Sequence, residues 1–276
     1  MILEKLKNIK IISKRSVWAL FFFLVFYVSF FIYLISSQDK IIYHPPNKDF
    51  YSCNQFSAQT KTVEYGQTRM YHRHNTESDK VVIFYHGNGN VACDLSFLAN
   101  SFEVTGVSYI FPEYIGYGGD GEKPSSEEIK NNVEDVIDYL ETQEYKEIIV
   151  IGQSVGTGVS SYHISQSSDV NKLLLISPFD SIVDVAVKRF IFYPEFLIRR
   201  FSNNSFDNVE NLANYYEEIV ILHGDKDMII PMERGKNLFE NLKTENKEMI
   251  VISDVGHNNI FEKEKVFKEI KEFIRK

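Results

Sequence analysis

The chain has 276 residues, of which 44% are hydrophobic and 25% charged, and its formal net charge at pH 7 is −8. This length is enough for one α/β domain with a sizeable core and an additional segment. Residues 1–37 carry five basic side chains and one acidic side chain (+4), so the remaining residues carry −12. A domain with this much negative charge argues against nucleic acid as a partner and against electrostatic binding to anionic lipid.

Near the N-terminus, residues Val17–Ile35 form an uncharged run, VWALFFFLVFYVSFFIYLI. At about 1.5 Å per residue, a helix of this length nearly spans a hydrocarbon core of about 30 Å. A cleaved signal peptide and a buried core helix are the alternatives. The run is longer than the apolar core of most signal peptides and ends in Tyr-Leu-Ile-Ser-Ser, which favours an uncleaved anchor in contact with membrane lipid through residues 17–35.

The charges beside this run predict its orientation. Five basic residues precede it, whereas residues 36–50 carry two basic and two acidic side chains. The positive-inside rule therefore predicts a cytoplasmic N-terminus and a domain on the other side, which is periplasmic, extracellular or lumenal. We expect a basic tail over residues 1–16, a transmembrane signal-anchor helix over 17–37, a connector over 38–59 and a globular domain over 60–276.

Two cysteines, Cys53 and Cys93, are present. An extracytoplasmic domain would allow them to pair, but nothing in the sequence shows that they are close, and neither has the spacing of a metal ligand.

Beyond the connector, two short runs at Lys61–Tyr65 and Thr68–His72 are separated by Gly66-Gln67, which predicts a β-hairpin. Six further predicted strands are apolar without clean alternation, as expected of parallel strands covered on both faces. They are Val81–Tyr85, Ser108–Phe111, Ile148–Ile151, Lys172–Ile176, Ile219–Leu222 and Met249–Ile252. Helical stretches lie between them, including Ser125–Glu141 and the terminal Asn259–Ile274. This alternation predicts a mostly parallel, doubly wound α/β sheet.

One interval is longer than the others. Residues 179–217 span about twice the length that a crossover needs and are rich in aromatic side chains. A helix pair covering one sheet edge is one interpretation. The pattern favours a short helical cap or lid over the mouth of a site, where apolar residues would contact a substrate.

A candidate nucleophile lies in Gly152-Gln153-Ser154-Val155-Gly156, directly after a predicted strand and before a helical stretch. This is the G-x-S-x-G pattern in the strand–turn–helix setting that its chemistry requires. A serine on so sharp a turn has a strained backbone and projects its hydroxyl away from the sheet, and flanking glycines remove side chains that would clash. The motif also arises by chance in unrelated chains. Ser154 is therefore a candidate nucleophile only if a base and an acid accompany it.

A serine hydroxyl needs a base within hydrogen-bond reach, and an acid must orient that base. On this architecture the chain order is serine, acid, histidine. The strand Ile219–Leu222 leads into His223-Gly224-Asp225-Lys226-Asp227, and His257, just beyond the last strand, is the one histidine that follows. The order therefore predicts His257 as the base. Spacing alone leaves Asp225 and Asp227 both open as the acid, and Asp225 is also suited to hold the turn.

The oxyanion that forms when the serine attacks a carbonyl group would need two backbone N–H groups as hydrogen-bond donors. The N–H of Val155, at the helix start after the nucleophile, is one. The loop His86-Gly87-Asn88-Gly89-Asn90 follows an earlier strand, and its glycines allow close approach of the backbone, so the N–H of Asn88 is the second. His86 precedes the nucleophile, and we expect it to brace this loop through hydrogen bonds of its ring.

Neither a cofactor nor a metal is expected. The run Gly116-Tyr117-Gly118-Gly119-Asp120-Gly121 matches a dinucleotide fingerprint, but the next predicted helix starts too late for its N-terminus to hold a pyrophosphate. His72 and His74 have a metal spacing on one strand face but lack further ligands.

Six motifs occur in the order seen in α/β-hydrolases: HGNGN at 86–90, PEYIGYG at 112–118, GQSVG at 152–156, SPFDS at 177–181, HGDKDMIIP at 223–231 and GHNN at 256–259. Over about residues 60–275 the chain resembles the alpha/beta-hydrolase-domain group of serine hydrolases, whose members often carry an N-terminal membrane anchor. The resemblance implies the α/β-hydrolase fold and, as the acid, Asp227, the second aspartate of the H-G-D-x-D loop. Members often have aspartate where Glu113 stands.

The expected function is that of a membrane-anchored serine hydrolase, which cleaves carboxylic ester or thioester bonds through Ser154, His257, Asp227 and an acyl-enzyme. Two alternatives remain open. One is a serine peptidase of the same fold, since the same triad cleaves amides. The other is a non-catalytic, membrane-tethered binding module on a hydrolase scaffold.

Overall fold

The structure, a computed structural model, describes residues 13–204 and 206–276. Within them, eight strands form one sheet in the order β1-β2-β4-β3-β5-β6-β7-β8. The strands are β1 (Lys61–Tyr65), β2 (Thr68–Arg73), β3 (Lys80–Tyr85), β4 (Ser108–Glu113), β5 (Glu147–Gln153), β6 (Val170–Ile176), β7 (Glu218–Gly224) and β8 (Lys247–Ile252). Strand β2 pairs antiparallel with β1 and β4, and the other neighbours are parallel. The predicted mostly parallel sheet is confirmed.

Helices cover both faces of this sheet. They are α1 (Lys14–Ser36), α2 (Gln38–Ile42), α3 (Ser96–Thr105), α4 (Ser126–Glu141), α5 (Val155–Gln166), α6 (Ile182–Arg189), α7 (Glu195–Phe201), α8 (Asn208–Asn211), α9 (Met232–Asn241) and α10 (Glu264–Arg275). Short 3₁₀ turns occur at Phe50–Ser52, Ala92–Leu95 and Ile260–Glu262. The segment predicted as a cap contains α6, α7 and α8.

The apolar strands reflect a core on each face of the sheet. In β6, Leu173 and Leu175 belong to one buried cluster, and the intervening Leu174, together with Ile176, belongs to the other. Because side chains of a strand point alternately to opposite faces, a strand buried on both sides needs apolar residues at every position. This explains the absence of alternation in the sequence.

The C-terminal segment differs from the prediction of one helix over Asn259–Ile274. A 3₁₀ turn covers Ile260–Glu262, the chain is extended at Lys263, and α10 begins at Glu264. The side chain of Asn259 accepts a hydrogen bond from the backbone N–H of Gly256 at 2.9 Å. Asn259 is therefore part of the loop that carries His257, and the helix starts only after this loop closes.

Helix α1 is, among the described residues, the one helix long and apolar enough to cross a membrane, as an anchor or a signal sequence would be. One of its faces packs against the segment predicted as a cap. The hydroxyl of Tyr27 donates to the carbonyl oxygen of Phe192 at 2.8 Å, and the hydroxyl of Tyr193 donates to that of Tyr27 at 2.9 Å. The ring of Phe31 lies 4.9 Å from that of Tyr193 and 6.0 Å from that of Phe201.

The connector packs on the domain along its length. Cys53 and Cys93 form a disulfide, which answers the question of pairing that the sequence leaves open. Phe50 is buried, its ring stacks on that of Tyr71 at 4.3 Å, and its backbone N–H donates to Gly118 at 2.9 Å. The chain between α2 and β1 is therefore fixed to the domain at several points.

Candidate active site

Ser154 lies on the turn between β5 and α5. Its backbone has φ 53° and ψ −120°, a region that residues other than glycine rarely adopt. The flanking glycines are required by close packing, since a Cβ at Gly152 would lie 2.4 Å from the carbonyl oxygen of Gly156. A Cβ at Gly156 would lie 2.2 Å from the carbonyl oxygen of Tyr85 in the neighbouring strand. The turn therefore has the strained geometry that the motif predicts.

The structure brings the three distant residues of the predicted triad together. His257 Nε2 lies 2.8 Å from Ser154 Oγ, and His257 Nδ1 lies 2.7 Å from Asp227 Oδ2. All three side chains are buried. A carboxylate accepts only, so Nδ1 carries the proton that it donates to Asp227, and in a neutral ring Nε2 is then free to accept from the serine hydroxyl. The arrangement can deprotonate Ser154.

Asp227 is held as a carboxylate. Burial alone would raise its pKa, but hydrogen bonds from His223 and His257 and the attraction of His257 outweigh burial and bring the pKa well below its usual range. The other oxygen, Oδ1, accepts from the backbone N–H groups of Ile229 at 2.9 Å and Ile230 at 2.8 Å. The carboxylate is therefore fixed on one side by the loop after β7 and on the other by the histidine.

Asp225, the other aspartate left open by spacing, contacts the backbone. Its Oδ1 accepts from the N–H of Val255 at 3.4 Å, and its own N–H donates to Ile252 at 3.1 Å. It thus links the loop after β7 to the loop that carries His257. Of the two aspartates, Asp227 is the one that touches the imidazole.

The loop after β3 lies directly beside the nucleophile. A Cβ at Gly87 would lie 3.3 Å from the Cβ of Ser154, which places the following peptide of Asn88 next to the serine. On the other side of the serine, Val155 begins α5, and the N–H groups in the first turn of a helix have no partner within it. The loop that carries Asn88 and the start of α5 at Val155 therefore both lie next to Ser154, and the role of their N–H groups as oxyanion donors stays a prediction.

His86 has the ring hydrogen bonds expected of it. Its Nδ1 lies 2.9 Å from the carbonyl oxygen of Gly87, and its Nε2 lies 3.1 Å from Glu113 Oε1. The second oxygen of Glu113 accepts from the N–H of Ala92 at 3.1 Å. The longer side chain that stands where the resembling proteins often have aspartate thus reaches both His86 and the end of the same loop.

The side chain of Asn88 makes contacts that sequence reasoning missed. Its Oδ1 accepts from the backbone N–H of His44 at 2.7 Å and from the hydroxyl of Tyr117 at 2.9 Å, and its Nδ2 donates to the carbonyl oxygen of Ile42. The chain that leaves α2 is therefore bound to the loop beside Ser154. No local pattern connects residues so far apart, so a single sequence contains no signal for this contact.

The two weaker motifs have structural roles. In the glycine-rich loop, the carbonyl oxygens of Tyr117 and Gly118 accept from the guanidinium of Arg69. The rings of His72 and His74 both contact the hydroxyl of Tyr145 at 2.8 Å. Over residues 13–204 and 206–276, no group of three or more histidine, cysteine, aspartate or glutamate side chains is arranged to hold a metal ion.

The chain is similar to known proteins in sequence. A family model described as serine aminopeptidase, S33, matches residues 76–205. The protein L404 of Acanthamoeba polyphaga mimivirus, classed as an alpha/beta hydrolase, is 28% identical over 245 residues, which cover 82% of this chain and 89% of L404. Human alpha/beta hydrolase domain-containing protein 17B is 25% identical over 212 residues, which cover 74% of this chain and 69% of the human protein.

Solved structures share the fold. The esterase PF2001 of Pyrococcus furiosus superimposes with a TM-score of 0.66 at 20% identity and covers 85% of this chain and 97% of its own. Est1E from Butyrivibrio proteoclasticus has a TM-score of 0.64 at 17% identity, and the match covers 79% of this chain and 98% of Est1E. The sheet order and the serine turn define a hydrolase scaffold. Together with the family model and the relatives, they identify the chain as an α/β-hydrolase, which confirms the resemblance seen in its motifs.

Proposed function

We propose that the protein is a membrane-anchored serine hydrolase that cleaves carboxylic ester or thioester bonds through Ser154, His257 and Asp227. The observation that carries this proposal is the unbroken hydrogen-bonded series from Ser154 Oγ through both ring nitrogens of His257 to Asp227 Oδ2. The structural similarity to proteins described as esterases supports the reaction class.

In the first step Ser154 Oγ attacks the substrate carbonyl carbon while its proton passes to Nε2 of His257. The imidazolium that forms lies against the carboxylate of Asp227, whose depressed pKa keeps it negatively charged. The carbonyl oxygen becomes an oxyanion. It accepts hydrogen bonds from the N–H groups of Asn88 and Val155, and the positive end of the α5 dipole adds to its stabilisation.

In the second step the tetrahedral intermediate collapses. The leaving alcohol or thiol takes the proton from His257 Nε2, and the acyl group stays on Ser154 Oγ. A water molecule then attacks the acyl-enzyme and gives a proton to His257. The second tetrahedral intermediate collapses with release of the carboxylic acid, and His257 returns the proton to Ser154 Oγ, which restores the serine hydroxyl.

We place the catalytic domain outside the cytoplasm, with α1 retained as an uncleaved anchor. Two observations support this placement. The basic residues lie on the N-terminal side of the apolar run. The pairing of Cys53 with Cys93 favours an oxidising compartment.

The test uses the full chain in nanodiscs with a panel of p-nitrophenyl esters and acyl thioesters and a fluorophosphonate label. Ser154→Ala is expected to abolish labelling and to lower kcat by about 10⁴-fold or more. Ser165→Ala is the matched control, because Ser165 is an exposed serine on the same helix whose hydroxyl bonds only sequence neighbours among the described contacts: it donates to the carbonyl oxygen of Tyr162 and accepts from the side chain of Gln166. Normal turnover by Ser154→Ala would contradict the mechanism, and a wild-type chain that neither labels nor turns over would favour a tethered binding module.

A second candidate is a serine peptidase of the same fold. The name of the matching family model, serine aminopeptidase, favours it. Aminoacyl and peptidyl p-nitroanilides tested beside the ester panel separate the two, because a peptidase would cleave the amides at rates comparable with the esters.

A further inference from the structure

The segment predicted as a cap contains an exposed apolar stretch, residues 190–198, which we call the tip. It reads Phe-Ile-Phe-Tyr-Pro-Glu-Phe-Leu-Ile and comprises the turn after α6 and the first part of α7. Ile191 is 81% exposed and Phe196 is 68% exposed, and Phe192 between them is exposed as well. An exposed apolar surface of this kind marks contact with a membrane or with a protein.

The tip lies beside the middle of the apolar run of α1. The hydroxyl of Tyr27, near the centre of the run, donates to the carbonyl oxygen of Phe192 at 2.8 Å. The hydroxyl of Tyr193 donates in turn to the carbonyl oxygen of Tyr27 at 2.9 Å. One turn further along α1, the ring of Phe31 lies 4.9 Å from that of Tyr193. These contacts fix the tip at the level of Tyr27.

The polar end of α7 lies beside the polar end of the run. Gln38, just beyond the apolar residues, donates to the carbonyl oxygen of Phe201 at 3.0 Å. Its side-chain oxygen accepts from the backbone N–H of Asn203 at 3.1 Å. The change from apolar to polar residues along α7 therefore runs parallel to the same change along the C-terminal half of α1.

This arrangement leaves too little of α1 free to cross a membrane by itself. If water surrounded the tip, only residues 17–26 of the run would project beyond the domain, a length of about 15 Å in a helix. The hydrocarbon core of a bilayer is about 30 Å thick. Because Tyr27 and Phe31 pack on the tip, α1 can span this core only if the tip enters it as well.

The polar groups of the tip are suited to such an environment. Hydrocarbon offers no hydrogen-bond partners, so polar groups that enter it need partners within the protein. The hydroxyls of Tyr27 and Tyr193 both donate to carbonyl oxygens, and Pro194 has no N–H that needs a partner. Glu195, the one charged residue of the tip, accepts from Arg199 Nε at 2.7 Å.

Basic residues lie on both sides of the tip. Lys188 and Arg189 precede it, Arg199 and Arg200 follow it, and all four are exposed. Long basic side chains keep their stems on apolar surface and extend their charges toward water and lipid phosphates. An apolar surface with basic residues at its borders is typical of a segment at a lipid interface, which favours a bilayer over a protein as the partner of the tip.

From these contacts we propose that the tip lies inside the bilayer beside α1, in the leaflet nearer to the domain, with the acyl region of membrane lipid as its partner. This inference rests on the anchoring role of α1 proposed above and not on the hydrolase chemistry. The segment that carries the tip follows β6, in which the carbonyl oxygen of Ile176 accepts from the backbone N–H of Ser154 at 2.9 Å. The inserted tip therefore holds the candidate active site near the surface of the same leaflet.

The first experiment measures the depth of the tip with a single tryptophan in the full chain in nanodiscs. Trp18 is the one tryptophan of the sequence, so Trp18→Phe gives a background without any. Phe196→Trp in this background reports on the tip. Tyr216→Trp is the matched control, because Tyr216 is a 59% exposed aromatic residue that precedes β7, at the edge of the sheet opposite Ser154.

The fluorescence of Phe196→Trp is expected to fall several-fold when the lipid is brominated near the middle of its acyl chains, and to resist quenching by iodide. Tyr216→Trp should show the reverse. Equal quenching of both chains by iodide, with no effect of the brominated lipid, would overturn the inference. Protection of Phe196→Trp from both quenchers would also overturn it, since a protein and not lipid would then cover the tip.

The second experiment uses the unmodified chain. A small apolar diazirine that partitions into hydrocarbon is photolysed with the chain in nanodiscs, and tryptic peptides are analysed by mass spectrometry. Cleavage after Arg189 and Arg199 releases the tip in one peptide, and cleavage after Arg15 and Lys40 releases the apolar run. Comparable labelling of the two peptides is expected.

The outcomes separate this inference from the proposed function. A labelled run with an unlabelled tip would overturn the inference and leave the anchor and the hydrolase chemistry standing. An unlabelled run would overturn both the anchor and the inserted tip. Neither labelling result depends on turnover, so a chain without esterase activity would contradict the proposed chemistry alone.

Discussion

The side-chain oxygen of Asn88 accepts a hydrogen bond of 2.7 Å from the backbone N–H of His44. Asn88 lies on the loop beside Ser154, and His44 lies just beyond the helices that precede the domain. The connector therefore helps to fix the position of the loop that we propose to carry one oxyanion donor. In this arrangement the N-terminal segment, which we propose as the membrane anchor, also supports the loop beside Ser154.

We expect Asn88→Ala to lower kcat by about tenfold to a hundredfold, somewhat less than the loss of a whole oxyanion donor. The backbone N–H remains, but it is no longer held by the connector and by Tyr117. KM is expected to change little, since the ground-state carbonyl depends less on this donor. Steady-state kinetics on a soluble short-chain ester measure both constants. Asn90→Ala, in the same loop, is the control, and equal kinetics for the two variants would contradict this role.

The pair Asp227→Asn and Asp225→Asn tests which aspartate serves the histidine. Asp227→Asn is expected to lower kcat by about 10⁴-fold, because an amide neither fixes the tautomer of His257 nor stabilises the imidazolium. Asp225→Asn should stay within a few-fold of wild type, since its oxygen bonds a backbone N–H that an amide oxygen also accepts. Comparable losses in both variants would show that loop geometry, and not the charge of Asp227, limits the rate.

The disulfide offers a test of how firmly the connector is held. It joins residues 40 apart, and for a loop of this length the chain-entropy model gives about 4 kcal/mol of stabilisation. We expect dithiothreitol to lower the midpoint of guanidinium unfolding of the wild type. The Cys53→Ser, Cys93→Ser double variant should start at the lower midpoint and not respond to the reductant. An identical wild-type midpoint with and without reductant would show that the connector adds no stability through this bond.

The sequence predicts the sheet well because its signals are local. Strand β6 is apolar at successive positions since both of its faces are buried, and the turn at Ser154 requires glycines within two residues. Chain order is also sufficient to point to His257. These features depend on short stretches of chain and on a topology that the alternation of strands and helices already indicates.

What the sequence does not predict depends on distant contacts. Asp225 and Asp227 are two residues apart, and only the path of the loop after β7 decides which of them faces the imidazole. The pairing of Cys53 with Cys93 and the bond from His44 to Asn88 each join parts of the chain about 40 residues apart. The late start of α10 is an exception, because it depends on a local contact: Asn259 accepts from the N–H of Gly256, three residues earlier, and so is part of the loop of His257 and not of the helix.

The proposed topology can be measured with reporters that work on one side of a membrane. Alkaline phosphatase fused after Lys276 is expected to be active in a bacterial host, since the enzyme needs an oxidising compartment to form its disulfides. Green fluorescent protein at the same position is expected to stay dark when exported by the general secretory route. Exchanging the five basic residues before Val17 for glutamine should reduce the phosphatase signal. A fluorescent, phosphatase-negative wild-type fusion would place the domain in the cytoplasm.

Two buried histidines predict a loss of stability in mild acid. Burial lowers the pKa of His163 to about 3, and burial with the neighbouring charges of His74 and Lys61 lowers that of His72 to about 4. Unfolded histidine has a pKa of about 6.5, so below that pH the unfolded chain binds more protons and stability falls as the pH drops. Between pH 7 and 5 each histidine should lower the free energy of unfolding by about 2 kcal/mol. Urea unfolding at several pH values measures this slope.

His163→Asn separates this effect from general acid sensitivity. The variant is expected to be less stable at pH 7, because the hydroxyl of Tyr85 loses its 2.8 Å partner, but its stability should fall less steeply between pH 7 and 5. His44→Asn, at an exposed position that contributes to neither lowered pKa, is the control and should keep the wild-type slope. If His163→Asn also keeps the full slope, other groups are responsible for the acid sensitivity, and His163 takes up its proton in the folded chain as readily as in the unfolded one.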